Sequence, residues 1–307
     1  ETVLGWSGGD PDGDSVTYDV YFESSDDTPD VLVSGDQTST TFDLDTLDPG
    51  TTYYWQIVAT DEHSLSTTGP VWSFTTTSPP NAPNTPSPLD GASNQPLTVT
   101  LNWDGGDPDG DDVTYDVYFE SGDDTPDVLV SGDQTSTAFD PGTLDPSITY
   151  YWQIVAKDEH GATATGTVWA FTTTSPPNLP NTPSPIDGMS SQPLAATLSW
   201  DGGDPDGDDV TYDVYFESGD DTPDVLVSGD QTSATFDPGA LDPTTTYYWQ
   251  IVATDEHGLS VTGPIWSFST TSPPNTPNTP SPSDGASSQP FTVTLSWEAG
   301  DPDGDAV

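Results

Sequence analysis

Leu97, Val99, Leu101 and Trp103 alternate with Thr98, Thr100 and Asn102, and this period of two predicts a strand with one buried face. Val113, Tyr115, Val117 and Phe119 alternate with Thr114, Asp116, Tyr118 and Glu120 in the same way. Two strands are thus expected on either side of an acidic stretch at residues 104–112. Residues 128–130 and 135–139 predict two short strands, and Tyr150, Trp152, Ile154 and Ala156 predict one long inward-facing row. After a turn at residues 158–161, residues 168–172 predict the last strand, with Trp169 and Phe171 on one face. The Pro-rich residues 83–88 read as an irregular edge strand, because proline lacks the N–H that a central strand donates. No stretch has helical spacing.

The pattern repeats. Trp6, Trp103, Trp200 and Trp297 recur at a spacing of 97 residues, in register with Asp-Pro-Asp-Gly-Asp starting at Asp10, Asp107, Asp204 and Asp301. Tyr-Tyr-Trp at Tyr53, Tyr150 and Tyr247 and Asp-Glu-His at Asp61, Asp158 and Asp255 keep the same register. A repeat of this length is large enough to bury its own core. Sandwich repeats are expected at residues 1–77 (without a first strand), 81–174 and 178–271, with the start of a fourth at 275–307. Pro-rich linkers are expected at 78–84, 175–181 and 272–278, where dense proline favours an extended, semi-rigid spacer. Glu1 aligns with Thr98 inside a predicted strand, so a segment of a longer array is expected.

Seven short strands with turn signals between them predict an all-β fold, a tandem array of seven-stranded Greek-key β-sandwiches. Trp103, Tyr115-x-Val117, and Leu144-x-Pro146-x-x-x-Tyr150 leading into Trp152, Ile154 and Ala156 resemble the motifs of fibronectin type III domains. Immunoglobulin-like and cadherin-like sandwiches share much of the pattern. The resemblance implies a tyrosine corner, in which the Tyr150 hydroxyl bonds to the chain just upstream.

Composition narrows the function. Fifty-two Asp and Glu stand against one basic residue, Lys157, for a net charge of −51. Such a field repels nucleic acid and anionic membrane surfaces, and no apolar run approaches the ~18 residues of a membrane span. Ten Trp, twelve Tyr and ten Phe at repeating positions argue against disorder. Without cysteine, stability must come from packing and proline, with metal as a candidate further source, which suits a prokaryotic surface array. An acidic surface almost free of lysine also suits a salt-rich habitat.

Asp107, Asp109 and Asp111 sit at i, i+2 and i+4 on a turn helped by Pro108 and Gly110. Ca²⁺ takes six to eight oxygens, and alternating carboxylates on a tight loop supply several from one side. The spacing resembles the first half of an EF-hand loop, without its bidentate Glu. The fibronectin-type resemblance implies that the loop starting at Asp158 lies at the same pole. Bacterial surface repeats that resemble this chain pair such a loop with an A-x-D-x-x-G turn, matched by Ala156-x-Asp158-x-x-Gly161 and Ala253-x-Asp255-x-x-Gly258; Ser64 replaces that glycine in the first repeat. The expected Ca²⁺ ligands are Asp10, Asp12, Asp14 and Asp61; Asp107, Asp109, Asp111 and Asp158; Asp204, Asp206, Asp208 and Asp255; and Asp301, Asp303 and Asp305. The competing reading is a bare, solvated turn, since Asp, Pro and Gly are ordinary turn formers. A linker asparagine, Asn84 or Asn181, is a candidate further ligand. His63, His160 and His257 read as turn residues, with no Cys or second His beside them in the sequence to form a transition-metal set.

No nucleophile-and-base motif or zinc-protease motif occurs, and carboxylates are too common for any pair to mark catalysis. The leading expectation is a non-enzymatic, extracellular cell-surface stalk, fibre or filament, with neighbouring repeats and other chains of the same protein as partners. The alternative is a spacer or carbohydrate-binding region of a large secreted hydrolase or adhesin, with Tyr118 and Tyr151 stacking on glycan rings.

Overall fold

Nine strand segments make up the third repeat, and they resolve into seven strands of which the first and last are interrupted. The computed structural model describes residues 2–304 and 306, and no helix occurs among them. The described residues fall into two compact units. One comprises residues 1–92, 98–143 and 149–171; the other comprises 93–97, 144–148 and 172–307 and holds the whole third repeat.

In the third repeat, one sheet places Leu198–Asp201 between Asn181–Ser184 and Thr235–Phe236. The other runs in the order Met189–Gln192, Trp266–Thr270, Thr246–Asp255, Val210–Ser218 and Leu226–Gln231, with Ser260–Thr262 also paired to Thr246–Asp255. The first strand crosses between sheets. Its prolines cannot donate to a central ladder, so Asn181–Ser184 stays at an edge. Asp187 and Gly188 then turn the chain, with Ser267 N–H donating to Asp187 Oδ1 at 2.9 Å and Gly188 N–H to Ser267 O at 2.8 Å. Met189–Gln192 emerges parallel to Trp266–Thr270, the one parallel pairing of the repeat.

The period-two pattern places the core where it was expected. Along Val210–Ser218, Tyr212, Val214 and Phe216 are buried; along Thr246–Asp255, so are Tyr247, Trp249, Ile251, Ala253 and Asp255. Leu198 and Trp200 close the core from the other sheet. Full burial of each aliphatic side chain contributes roughly 1.5–3 kcal/mol. Aromatic pairs add geometry: Phe216 stacks on Tyr247 with centroids 5.0 Å apart, and Trp249 packs on Trp266 at 4.6 Å. The first repeat shows the same arrangement, with Phe22 on Tyr53 at 4.9 Å and Trp55 on Trp72 at 4.5 Å.

Strand boundaries moved in places. In the second repeat the strand expected over 97–103 begins only at Leu101, because Pro96 precedes it and the Leu97 carbonyl accepts from Leu144 N–H at 2.8 Å. The strand at 128–130 lengthens to Leu129–Gln134, that at 135–139 shrinks to Ala138–Phe139, and Thr163–Thr165 adds a segment. Gly166 follows the end of that segment at Thr165. A Cβ on Gly166 would lie 3.0 Å from Pro83 O and 3.3 Å from Ile154 O, so a side chain there would crowd the Pro-rich segment.

A tyrosine corner of the kind the resemblance implied at Tyr150 is present at the equivalent tyrosines of the first and third repeats. Asp242 N–H donates to the Tyr247 hydroxyl at 3.0 Å, and Asp48 N–H to that of Tyr53 at 2.9 Å. Tyr247→Phe should lower the stability of its repeat by about 1–2 kcal/mol, since it leaves a half-buried N–H unpaired. Urea denaturation checks this, and an unchanged midpoint would contradict it.

Candidate metal centre

Each acidic loop spends one carboxylate oxygen on its own turn. Asp107 Oδ1 accepts the Asp109 N–H at 2.6 Å, and Asp10, Asp204 and Asp301 do the same for Asp12, Asp206 and Asp303 at 2.7, 2.7 and 2.8 Å. The remaining oxygens of Asp107 and Asp204 are buried and accept no hydrogen bond. A Gly-Gly pair precedes the first three loops, and Ala299-Gly300 the fourth. The Tyr115 and Tyr212 rings lie so close over Gly105 and Gly202 that a Cβ there would collide with the hydroxyl. Burial pushes both phenols above their ordinary pKa, opposed at Tyr212 by a hydrogen bond from Gly203 N–H.

The turn following each long central strand repeats this economy. Asp158 Oδ1 accepts His160 N–H at 2.9 Å and Ala162 N–H at 2.8 Å; Asp255 Oδ1 accepts His257 at 2.9 Å and Leu259 at 2.8 Å. Asp61 Oδ1 does so for His63 and Leu65, both at 2.8 Å. Asp158 and Asp255 are only 4% and 6% exposed, yet Oδ2 of each has no partner. Strand register brings these turns to the acidic loops: Val16, Val113 and Val210, just after the loops, pair with Asp61, Asp158 and Asp255. In the first repeat, oxygens of Asp10, Asp14 and Asp61 lie within 4.8 Å of one another, and in the second so do those of Asp107, Asp109 and Asp111.

The middle aspartate of each loop has a further engagement. Asp109 accepts the Ser78 N–H at 2.5 Å, and Asp206 that of Ser175 at 2.5 Å; Asp303 accepts from Ser272 N–H. These donors follow the last strand of the preceding repeat. The Ser78 N–H, chiefly, holds the Asp109 carboxyl below the usual range, as the Ser272 N–H does for Asp303. Thr77 and Thr174 hydroxyls donate to Asp111 at 2.9 Å and Asp208 at 3.2 Å. Asn84 and Asn181 turn their amides to local carbonyls of Ala82 and Leu179. Asn94 instead reaches the third loop, its Nδ2 donating to Asp208 Oδ1 at 2.5 Å while its own Oδ1 is buried and unpartnered. No sequence signal marked Thr77, Ser78 or Asn94 for this role. Asp305 lies outside the described residues.

Two buried carboxylate oxygens without donors are costly as bare charges. A bound cation is one group that would offset them. The donor set suits a hard cation: oxygens bound to Ca²⁺ at 2.3–2.6 Å lie no more than about 5 Å apart, in keeping with the 4.8 Å grouping.

By sequence, the chain matches no protein-family profile and no curated protein. Among solved structures, the FN1-FN3 domains of chicken CNTN1 align over 87% of this chain and 93% of that one, at 16% identity and a TM-score of 0.32. The assignment of sandwich repeats rests on the sheets themselves.

Proposed function

We propose that the chain is a calcium-stabilised repeat segment of an extracellular stalk, fibre or surface filament, in which the repeats extend the molecule and neighbouring copies are its partners. The observation that carries this reading is the pair of buried, unpartnered carboxylate oxygens at one pole of the second and third repeats, on Asp107 with Asp158 and on Asp204 with Asp255. Calcium would be held by the first and third loop aspartates and the turn aspartate: Asp10, Asp14 and Asp61; Asp107, Asp111 and Asp158; Asp204, Asp208 and Asp255. The middle aspartates, Asp12, Asp109, Asp206 and Asp303, remain candidates, and the hydrogen bonds to Asp109, Asp206 and Asp303 tie the loop to the serine that follows the last strand of the preceding repeat. Neutralising the loop where the preceding repeat docks would stiffen that connection.

Small-angle scattering of the chain at constant ionic strength, with calcium and then with chelator, tests this. A larger radius of gyration in calcium is expected. Equal radii in both buffers would remove the stiffening role.

A further inference from the structure

The histidines do more than form turns. Their backbone N–H groups cap Asp61, Asp158 and Asp255, but each ring is also placed beside the third loop aspartate. His160 Nε2 lies 3.4 Å from Asp111 Oδ2 and 3.9 Å from Glu159 Oε1, and His257 Nε2 lies 3.4 Å from Asp208 Oδ2. In all three repeats an imidazole nitrogen, a glutamate oxygen and an aspartate oxygen fall within 4.8 Å of one another: Asp14, Glu62 and His63; Asp111, Glu159 and His160; Asp208, Glu256 and His257.

We propose that each of these triads is a second metal position, distinct from the oxygen-only one, which takes a borderline divalent transition ion of the zinc class. Three observations carry it. The first is donor chemistry: calcium binds through oxygen, whereas imidazole with carboxylate suits zinc, nickel and copper. The second is spacing. Ligands about 2.0–2.2 Å from one zinc ion sit roughly 3–3.5 Å apart, and the separations of 3.4 and 3.9 Å need only a small closure of the exposed His160 and Glu159 side chains onto Asp111. The third is the buried neighbour. Asp14 belongs both to the histidine triad and to the group with Asp10 and Asp61. At the positions equivalent to Asp61, Asp158 and Asp255 are more than nine-tenths buried with Oδ2 unpartnered, so the local field is short of positive charge. The turn hydrogen bonds to Asp61, Asp158 and Asp255 Oδ1 hold the histidine backbone in place, which lowers the ordering cost of binding.

The proposal does not rest on calcium filling the inner position, and its test separates the two. The whole chain is titrated with Zn²⁺ calorimetrically, once in saturating calcium and once without it, and Co²⁺ is used to read imidazole ligation from its visible absorption. Three zinc ions per chain are expected, one per histidine. The variant carrying His63→Gln, His160→Gln and His257→Gln should lose all three and the Co²⁺ bands, with its thermal response to calcium unchanged. Glu62→Gln, Glu159→Gln and Glu256→Gln together should weaken zinc without affecting calcium. No zinc uptake by the parent, or equal uptake by the histidine variant, would overturn the proposal whatever the calcium result.

Discussion

Trp249→Ala is expected to destabilise the third repeat by about 3–5 kcal/mol, the range for removing a buried tryptophan. Trp249 has no solvent exposure and lies between Trp266, at 4.6 Å, and Trp200, at 6.3 Å. A cavity there has rigid rings on both sides, in strands whose register is held by their ladders, so relaxation will be small. Trp249→Phe should cost only about 1–2 kcal/mol. It leaves a smaller void and removes an indole N–H that is buried without an acceptor. Calorimetry of the whole chain would resolve the effect as a separate early transition, since each repeat carries its own aromatic core. A loss under about 1 kcal/mol for the alanine variant would mean that this ring is not central to the core.

Calcium at a hundred times its dissociation constant should stabilise a repeat by about 2.7 kcal/mol if only the folded state binds. For a domain near 100 residues this corresponds to roughly 10–20 °C in Tm. The sharper test is Asp255→Asn. The amide keeps an oxygen for the His257 and Leu259 N–H groups, so the turn survives, while the unpartnered negative charge disappears. In chelator the variant should therefore be as stable as the parent, or more so, because a buried charge has been removed. In calcium the parent should gain and the variant should not. Melting both proteins at fixed ionic strength in sodium chloride, with and without calcium, reads all four values. A parent Tm that ignores calcium would leave the acidic loops as bare turns and their charge as an adaptation to salt.

Sandwich class was legible because strand periodicity is local. Tyr212, Val214 and Phe216 alternate with polar residues along Val210–Ser218, and a strand must place such a row on one face. The tyrosine corner was legible through Leu241-x-Pro243-x-x-x-Tyr247 for the same reason. The split first strand was less so: proline marked residues 83–88 as an edge, but the parallel pairing that follows depends on the Asp-Gly turn meeting the last strand. At the candidate centre, Asp107 and Asp158 were paired by a family resemblance; the ladder sets Asp158 opposite Val113, just after the acidic loop, and in the first repeat the equivalent ladder accompanies the grouping of Asp10, Asp14 and Asp61. The histidines were read as turn residues, and their N–H groups do cap Asp61, Asp158 and Asp255; nothing near them in sequence shows that Asp111 or Asp208 lies opposite the rings of His160 and His257.

By itself, the order of residues determined the repeat, the strand faces, the aromatic core and the charge, because each depends on neighbours a few positions away or on a simple count. Only the tertiary structure decided which carboxylate oxygens are left without donors and which aspartates serve the preceding repeat instead. Those outcomes depend on register between strands some forty residues apart and on loops from adjacent repeats, and burial there leaves Asp158 and Asp255 each with a carboxylate oxygen that no donor meets.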